Sequence, residues 1–105
     1  MNAYLIADVD IKDMEMFKKY MEASPEVVRK FGGRFLVRGG EFWIAEGKWA
    51  PKRLVVIEFE SFEKATEFWH SEDYRSLKIL RQNSAFTDMV FVKGISKEQS
   101  EQVNG

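Results

Sequence analysis

The 105-residue chain contains no cysteine and a single histidine, His70, and these two scarcities exclude several classes of site. Without cysteine there is no disulfide scaffold, no thiolate nucleophile and no cysteine-ligated metal or iron–sulfur centre. One histidine leaves no multi-histidine metal site. Neither charge sign dominates, because 16 Lys and Arg stand against 17 Asp and Glu. The resulting net charge of -1 creates no overall field that would select nucleic acid or an anionic membrane as a partner.

Long hydrophobic runs are also missing. The longest apolar stretches have four or five residues, far fewer than the roughly 20 that cross a bilayer. The N-terminus lacks a basic region and reaches an acid at Asp8, which is unlike a signal peptide. We therefore expect a cytoplasmic protein that needs no cofactor and contacts neither nucleic acid nor membrane.

Apolar side chains are nevertheless plentiful, at 45% of the chain, with aromatic residues at 14%. This composition and length are typical of one globular domain with its own core. The composition changes only near the end, where residues 96–105 include one apolar residue, Val103. We expect a single domain over residues 1–95 and a flexible tail over residues 96–105.

The period of the hydrophobic pattern changes several times along the first half of the chain. A short apolar run predicts a strand over residues 3–9. Asp13 is a candidate N-cap for a helix with Met14, Phe17 and Met21 on one face. Because Pro25 follows Ser24, we expect a second helical piece to begin there, with Gly32 and Gly33 at its end.

The second half continues the alternation of strands and helices. We expect strands over residues 34–38, 53–59 and 86–93, with a bulge or turn at Gly39-Gly40 and an extended continuation over residues 41–46. Ser61 is an N-cap candidate for a helix with Phe62, Ala65 and Trp69 on its apolar stripe, and a helix restarts at Ser71.

This order of elements, β-α-β-β-α-β, indicates the ferredoxin-like α+β plait. In that fold both helices cover one face of an antiparallel sheet. A β-rich barrel is the weaker alternative, because two long helical patterns argue against it.

The face of the sheet without helices is predicted to be apolar as well. Strict alternation places Tyr4, Ile6, Leu36, Leu54 and Val56 on it, with one pair from the last strand. A patch of this size exceeds what monomers usually expose. A second copy packed face to face would cover it and give a homodimeric barrel. The alternative is that this face is solvated, as in many antiparallel α+β proteins.

Several motifs in order resemble one known family. They are Phe31-Gly32-Gly33-Arg34-Phe35-Leu36-Val37-Arg38-Gly39-Gly40, Glu46-Gly47, and Pro51-Lys52-Arg53-Leu54-Val55-Val56-Ile57-Glu58-Phe59. Tyr20, Ala65, Trp69, Ser71, Tyr74 and Arg81 match further positions, and the likeness runs over residues 4–94. The chain is thus similar to the DUF1330 family of the dimeric α/β-barrel superfamily, although Asp10-Ile11-Lys12 departs from that family's usual Asp-Pro. The resemblance implies the plait and a dimer but no chemistry, since wider relatives include cofactor-independent monooxygenases, lactone isomerases and haem-degrading enzymes.

Four charged residues fall on the predicted open side of the sheet: Asp8, Arg34, Arg38 and Glu58. Charges in an apolar interface are costly unless they are paired, so their presence suggests a polar pocket. We expect Arg38 and Glu58 to be catalytic, with Arg38 binding a carboxylate or enolate oxygen and Glu58, or alternatively Asp8, acting as a base.

Asp8, Arg34, Trp69 and Tyr74 are the substrate-binding candidates. The expected function is a homodimer that binds or acts on a small organic acid by acid–base or oxygenation chemistry. In the alternative, Arg38 and Glu58 form a structural ion pair and the protein is a noncatalytic dimeric module.

Two further features have less specific interpretations. His70 lies off the apolar stripe of its predicted helix, which favours a half-exposed cap residue at the helix end over a haem ligand. Trp43 and Trp49 lie among basic residues, a pattern that can bind single-stranded nucleic acid. Glu41 and Glu46 dilute that charge, so a dimer-interface arm explains these aromatic residues better.

Overall fold

The computed structural model describes residues 1–102, which form four strands and four helices. In chain order these are β1 (Ala3–Ile11), α1 (Met14–Lys30), β2 (Gly33–Arg38), β3 (Leu54–Phe59), α2 (Phe62–His70), α3 (Glu72–Ser84), β4 (Ala85–Lys93) and α4 (Lys97–Gln102). The strands form one sheet in the order β2-β3-β1-β4, and every neighbouring pair is antiparallel. The predicted α+β plait, with its helices on one face of the sheet, is confirmed.

Short polar side chains begin three of the helices, as predicted. The Asp13 carboxylate accepts a hydrogen bond from the Met16 amide at 3.0 Å. The hydroxyls of Ser61 and Ser71 accept from the amides of Lys64 and Tyr74, each at 3.1 Å. Each cap satisfies one of the amides that a helix start leaves without an intrahelical partner.

The predicted break at Pro25 is wrong. Helix α1 continues for 17 residues through Pro25, and Ser24 is a buried residue within it rather than a cap. Proline has no amide hydrogen, so it cannot make the usual hydrogen bond to the carbonyl four residues earlier, that of Met21. The Arg38 guanidinium takes this place, donating to the Met21 carbonyl at 2.5 Å.

The core lies between the sheet and helices α1, α2 and α3. Alternate residues of β1 are buried beneath the helices: Ala3, Leu5, Ala7 and Val9. Ile57 and Phe59 of β3 are buried as well. The predicted stripe of α2 needs one correction, because Phe68 is buried whereas Phe62 is 37% exposed. Phe68 packs instead against the Tyr74 ring, with centroids 4.3 Å apart, because α3 follows α2 directly and lies against it.

Strand β2 contains a bulge, but not where the glycines suggested. The pairing with β3 shifts between Phe35 and Val37, so that Phe35 lies opposite Ile57 and Val37 opposite Val56. The extra residue, Leu36, reverses the alternation of every later side chain in the strand. Arg34, before the bulge, lies opposite Glu58, and Arg38, after it, lies opposite Val55.

The strand expected over residues 41–46 is absent, and the connection from residue 39 to 53 contains no helix or strand. Its aromatic residues are exposed, Trp43 to 84% and Trp49 to 61%. Gly39, with φ of +71°, turns the chain out of β2 and donates its amide to the Leu54 carbonyl at 2.8 Å.

The sheet surface opposite the helices, which we term the open face, carries the apolar side chains that alternation predicted. Ile6 and Val56 lie opposite each other near its centre and are half-buried. Towards its edges Val37, Val90 and Val92 remain 38%, 57% and 45% exposed. Beyond β4, the expected tail contains the six-residue α4, and its last residues, 103–105, lie outside the described part of the chain.

Candidate functional site

Glu58 lies on the open face and pairs with Arg34 rather than with Arg38. The Arg34 Nε donates to Glu58 Oε1 at 2.9 Å, and the Tyr4 hydroxyl lies 3.3 Å from Oε2. The hydrogen bond from Arg34 is the main cause that lowers the pKa of Glu58 below its ordinary value. The alternative interpretation, an Arg38–Glu58 ion pair, is therefore wrong. Arg38 lies opposite Val55, three positions along β3 from Glu58, and the bulge turns its side chain to the other face of the sheet.

Asp8, also on the open face, fastens the 39–53 connection to β1. Its carboxylate accepts hydrogen bonds from Trp49 Nε1 at 3.0 Å and from the Lys52 amide at 2.8 Å. Burial acts to raise the pKa of Asp8, but these bonds and that from the Arg53 amide bring it below its ordinary value. This network occupies the oxygens of the Asp8 carboxylate in a structural role.

The two aromatic candidates occupy different environments. Tyr74 is fully buried, and its hydroxyl lies 2.7 Å from the Tyr20 hydroxyl and 3.2 Å from Arg81 Nε. Trp69 is half-buried, with the Lys78 ammonium 3.9 Å from its ring centroid. His70, the last residue of α2, is exposed.

A small, partly open cavity of about 30 Å³ lies between α1 and the helix-covered side of the sheet. We term it the arginine cavity. Its floor is apolar and comes from β1, β3 and β4, whereas its polar lining groups are Tyr20, Ser24, Arg38, Arg53 and Arg81. A single water needs about 10–15 Å³ on this measure, so the space accommodates a group of two or three heavy atoms, such as a carboxylate.

Two of the three arginines converge on Met21, which also lines the arginine cavity. Arg38 donates to its carbonyl, and Arg53 Nη2 lies 3.6 Å from its sulfur. Arg38 also stacks over the Phe35 ring, 4.5 Å from the centroid. These contacts fix the two guanidinium groups at one end of the cavity.

Arg53 is held against the backbone of Gly39. A Cβ at position 39 would come within 2.0 Å of Arg53 Nη1, so a larger residue there would displace the guanidinium from this position. The Arg53 Nε is buried and has no hydrogen-bond partner within residues 1–102. Burial, followed by the nearby charge of Arg38, lowers the pKa of Arg53.

The third arginine, Arg81, is only 5% exposed. Across residues 1–102, the ion pairs of the structure join other residues, and none involves Arg38, Arg53 or Arg81. A buried cation without a carboxylate partner is costly unless an anion or polar groups compensate it. The arrangement is therefore suited to binding an anion.

The structure thus divides the predicted site residues between two sides of the sheet. Arg38 lines the arginine cavity and Tyr74 lies behind it, whereas Asp8, Arg34 and Glu58 belong to the open face. Trp69 lines a larger and more open cleft beside β4, to which Asp8 also contributes and which shares Arg81 with the arginine cavity. The catalytic roles of Arg38 and Glu58 stay predictions. So do the substrate-binding roles of the other four candidates: Asp8, Arg34, Trp69 and Tyr74.

Sequence reasoning missed Tyr20, Arg53 and Arg81 as site residues. One signal was present for Arg81: it lies seven residues after Tyr74 on the same face of a helix, where an arginine among apolar residues requires partners. No such signal existed for Arg53, because its position depends on the turn at Gly39.

Metal-ligand clusters and membrane-spanning helices are both absent from the described part of the chain. Residues 1–102 contain no group of three or more His, Cys, Asp or Glu side chains placed to hold a metal ion. No helix in this range is long and apolar enough to cross a membrane.

The sequence profile of DUF1330, a domain of unknown function, matches residues 2–95. The chain belongs to the DUF1330 family. No curated protein matches it. This DUF1330 chain is similar in structure to a protein of unknown function from Rhodopseudomonas palustris, with a TM-score of 0.72 and 16% identity over 90% of this chain and 83% of that one. The methylated form of that protein gives the same score and identity over 91% and 82%.

A third solved structure is a putative antibiotic biosynthesis monooxygenase from Nitrosomonas europaea. It matches with a TM-score of 0.57 and 17% identity, covering 91% of this chain and all of that one. At such identities the likeness shows a shared fold.

Proposed function

We propose that this DUF1330 protein is a cytoplasmic homodimer that binds a small organic acid, using side chains alone. The observation that carries the proposal is the convergence of Arg38, Arg53 and Arg81 on one cavity without a carboxylate partner within residues 1–102. Guanidinium groups bind carboxylates through strong, often bidentate hydrogen bonds. A ligand carboxylate supplies the charge that the protein itself does not place there.

The size of the arginine cavity limits which part of the ligand it holds. About 30 Å³ accommodates a carboxylate and little else, so the body of the ligand extends towards the exposed side chain of Arg38. The lining residues include no carboxylate or imidazole to accept a proton. The geometry therefore supports binding better than acid–base or oxygenation chemistry.

The homodimer is supported by the open face. Its central residues Ile6 and Val56 are apolar, and so are Val37 and Val90 towards its edges. Covering each large aliphatic side chain stabilises a protein by about 1.5–3 kcal/mol. The charges of this face are already compensated, since Arg34 pairs with Glu58 and Asp8 accepts hydrogen bonds from the 39–53 connection. A second copy packed on the open face leaves the arginine cavity accessible on the opposite side of each sheet.

Calorimetry and thermal unfolding with small carboxylates test the binding proposal. We expect acetate, pyruvate and benzoate to bind and to raise the Tm, whereas acetamide and benzamide, which lack the charge, do neither. A ligand at ten times its Kd adds about 1.4 kcal/mol of stability. For a domain of this size, that shift in Tm is several degrees.

The matched variants are Arg53→Gln and Arg75→Gln. Arg53 lines the cavity, whereas Arg75 is an exposed residue of α3 beside Glu72. We expect Arg53→Gln to abolish the carboxylate-dependent rise in Tm and Arg75→Gln to retain it. Absence of any carboxylate binding to the wild-type protein at millimolar concentration would contradict the proposal.

A further inference from the structure

The hydroxyl of Tyr20 is a polar group of the arginine cavity whose hydrogen-bond direction can be argued from the donors around it. Tyr20 lines the cavity, and its hydroxyl lies 2.7 Å from that of Tyr74. Tyr74 does not line the cavity and is fully buried. The two hydroxyls and Arg81 form a chain of polar groups that leads from the core to the cavity wall.

The direction of this chain follows from the donors available. Arg81 Nε carries a hydrogen and only donates, so the Tyr74 oxygen accepts at 3.2 Å. The Tyr74 hydroxyl has its own hydrogen to place, and in the described part of the chain its hydrogen-bond partners are Arg81 and the Tyr20 oxygen. Leaving that hydrogen unpaired inside the core would cost free energy. The arrangement that pairs this hydrogen is the one in which Tyr74 donates to Tyr20.

This arrangement leaves the hydrogen of Tyr20 free for the cavity. Burial is the largest of the effects that raise the pKa of Tyr20 well above its ordinary value, so the phenol remains protonated. The hydroxyl is also held in place, because its ring packs against those of Phe17 and Tyr74, with centroids 5.4 and 6.3 Å apart.

We propose that Tyr20 is a specificity-determining hydrogen-bond donor of the arginine cavity, and that the site favours simple carboxylates and 2-oxo acids over 2-amino acids. The inference rests on the proposed binding of organic acids. With Tyr20 and three arginines, four of the five polar lining side chains present hydrogens, and the fifth, Ser24, can turn either way. The keto oxygen of a 2-oxo acid accepts hydrogen bonds. A 2-ammonium group adds a cation and three more donors among the guanidinium groups, which is unfavourable.

Calorimetry with pyruvate, lactate and L-alanine tests this inference on the wild-type protein and on two variants. Tyr20→Phe keeps the ring and removes the donor. Tyr4→Phe is the matched control, because Tyr4 lies on the open face beside Glu58. We expect pyruvate to bind at least tenfold more tightly than alanine, with lactate between them. Tyr20→Phe should weaken pyruvate binding about tenfold, the usual effect of one hydrogen bond, and Tyr4→Phe should leave it unchanged.

A spectroscopic measurement covers the case in which Tyr20→Phe does not fold. The tyrosine doublet in ultraviolet resonance Raman spectra reports whether a phenol donates or accepts hydrogen bonds. Pyruvate should shift the doublet of the wild-type protein towards stronger donation. An unchanged doublet with pyruvate bound would overturn the inference.

The outcomes separate this inference from the proposed function. If the wild-type protein binds no carboxylate, the proposed function fails and the inference fails with it. If it binds pyruvate, but Tyr20→Phe binds equally well or alanine binds as tightly as pyruvate, only the inference is overturned.

Discussion

The guanidinium of Arg38 donates to the backbone carbonyl of Met21, with Nη2 2.5 Å from the oxygen. This carbonyl lacks its usual helical donor because the residue four positions later is Pro25. The side chain of Arg38, at the end of β2, therefore supplies the hydrogen-bond donor that α1 lacks at Met21. The contact also places Arg38 at the arginine cavity, so helix continuity and the anion site depend on the same side chain.

The first prediction concerns this contact. Arg38→Ala should lower the free energy of unfolding by about 1 kcal/mol, the usual value of one hydrogen bond. Pro25→Ala restores an amide that can reach the Met21 carbonyl, so Arg38→Ala should cost less in that background. Urea unfolding of the wild-type protein, both single variants and the double variant measures the coupling. Equal effects of Arg38→Ala in both backgrounds would contradict the pairing.

The second prediction separates two roles of Gly39. Gly39→Ala forces an alanine to φ of about +71° and places its Cβ against Arg53. Gly47→Ala is the control, because Gly47 has φ of +95° but a Cβ added there would meet no atom within 4 Å. Left-handed backbone costs an alanine about 1–2 kcal/mol. Both variants should lose that stability. Only Gly39→Ala should also lose carboxylate binding, as measured by calorimetry. Carboxylate binding retained in Gly39→Ala would contradict the proposed role of Arg53.

The third prediction concerns the dimer. Sedimentation at micromolar concentration should give about twice the chain mass of 12.3 kDa. Val90→Asp should produce a folded monomer, because Val90 is 57% exposed on the open face. The control is Ile79→Asp on α3, where the side chain is 52% exposed on the helical side, and this variant should remain dimeric. A wild-type monomer would refute the prediction.

The fourth prediction concerns the pH dependence that Asp8 produces. Its pKa is lower in the folded protein than its ordinary value, so the ionised carboxylate stabilises the fold near neutral pH. That contribution is lost as the pH falls below about 4 and through the folded-state pKa. Asp8→Asn should therefore be less stable than the wild-type protein at pH 7, and the difference should narrow towards pH 3. Asp10→Asn, which changes an exposed ion pair with Lys12, is the control for general charge effects.

Urea unfolding at each pH measures the Asp8 effect, and hydrogen exchange locates it. The amides of Lys52 and Arg53 donate to the Asp8 carboxylate and should exchange faster in Asp8→Asn. A stability difference that stays constant from pH 7 to pH 3 would show that ionisation of Asp8 contributes nothing.

Local sequence patterns determined most of the architecture. Two kinds of signal involve residues only a few positions apart, so the sequence alone reveals them. They are the N-caps at Asp13, Ser61 and Ser71 and the alternating apolar residues of β1. The plait followed from the order of these elements. Local reasoning failed at Pro25, because the group that compensates for the missing amide comes from Arg38, 13 positions further along the sequence.

Tertiary structure alone decided the candidate site. Alternation assigned Arg38 and Glu58 to one face, but a bulge is a property of the ladder between two strands, and it reversed the side chains that follow Leu36. Arg34, which precedes the bulge, pairs with Glu58, whereas Arg38, which follows it, turns towards the helices. Arg53, just before β3, and Arg81 of α3 join it because packing brings those elements to α1. The sequence by itself determined which side chains carry charge, whereas strand register and helix packing decided which charges meet, because both depend on contacts between residues far apart in the chain.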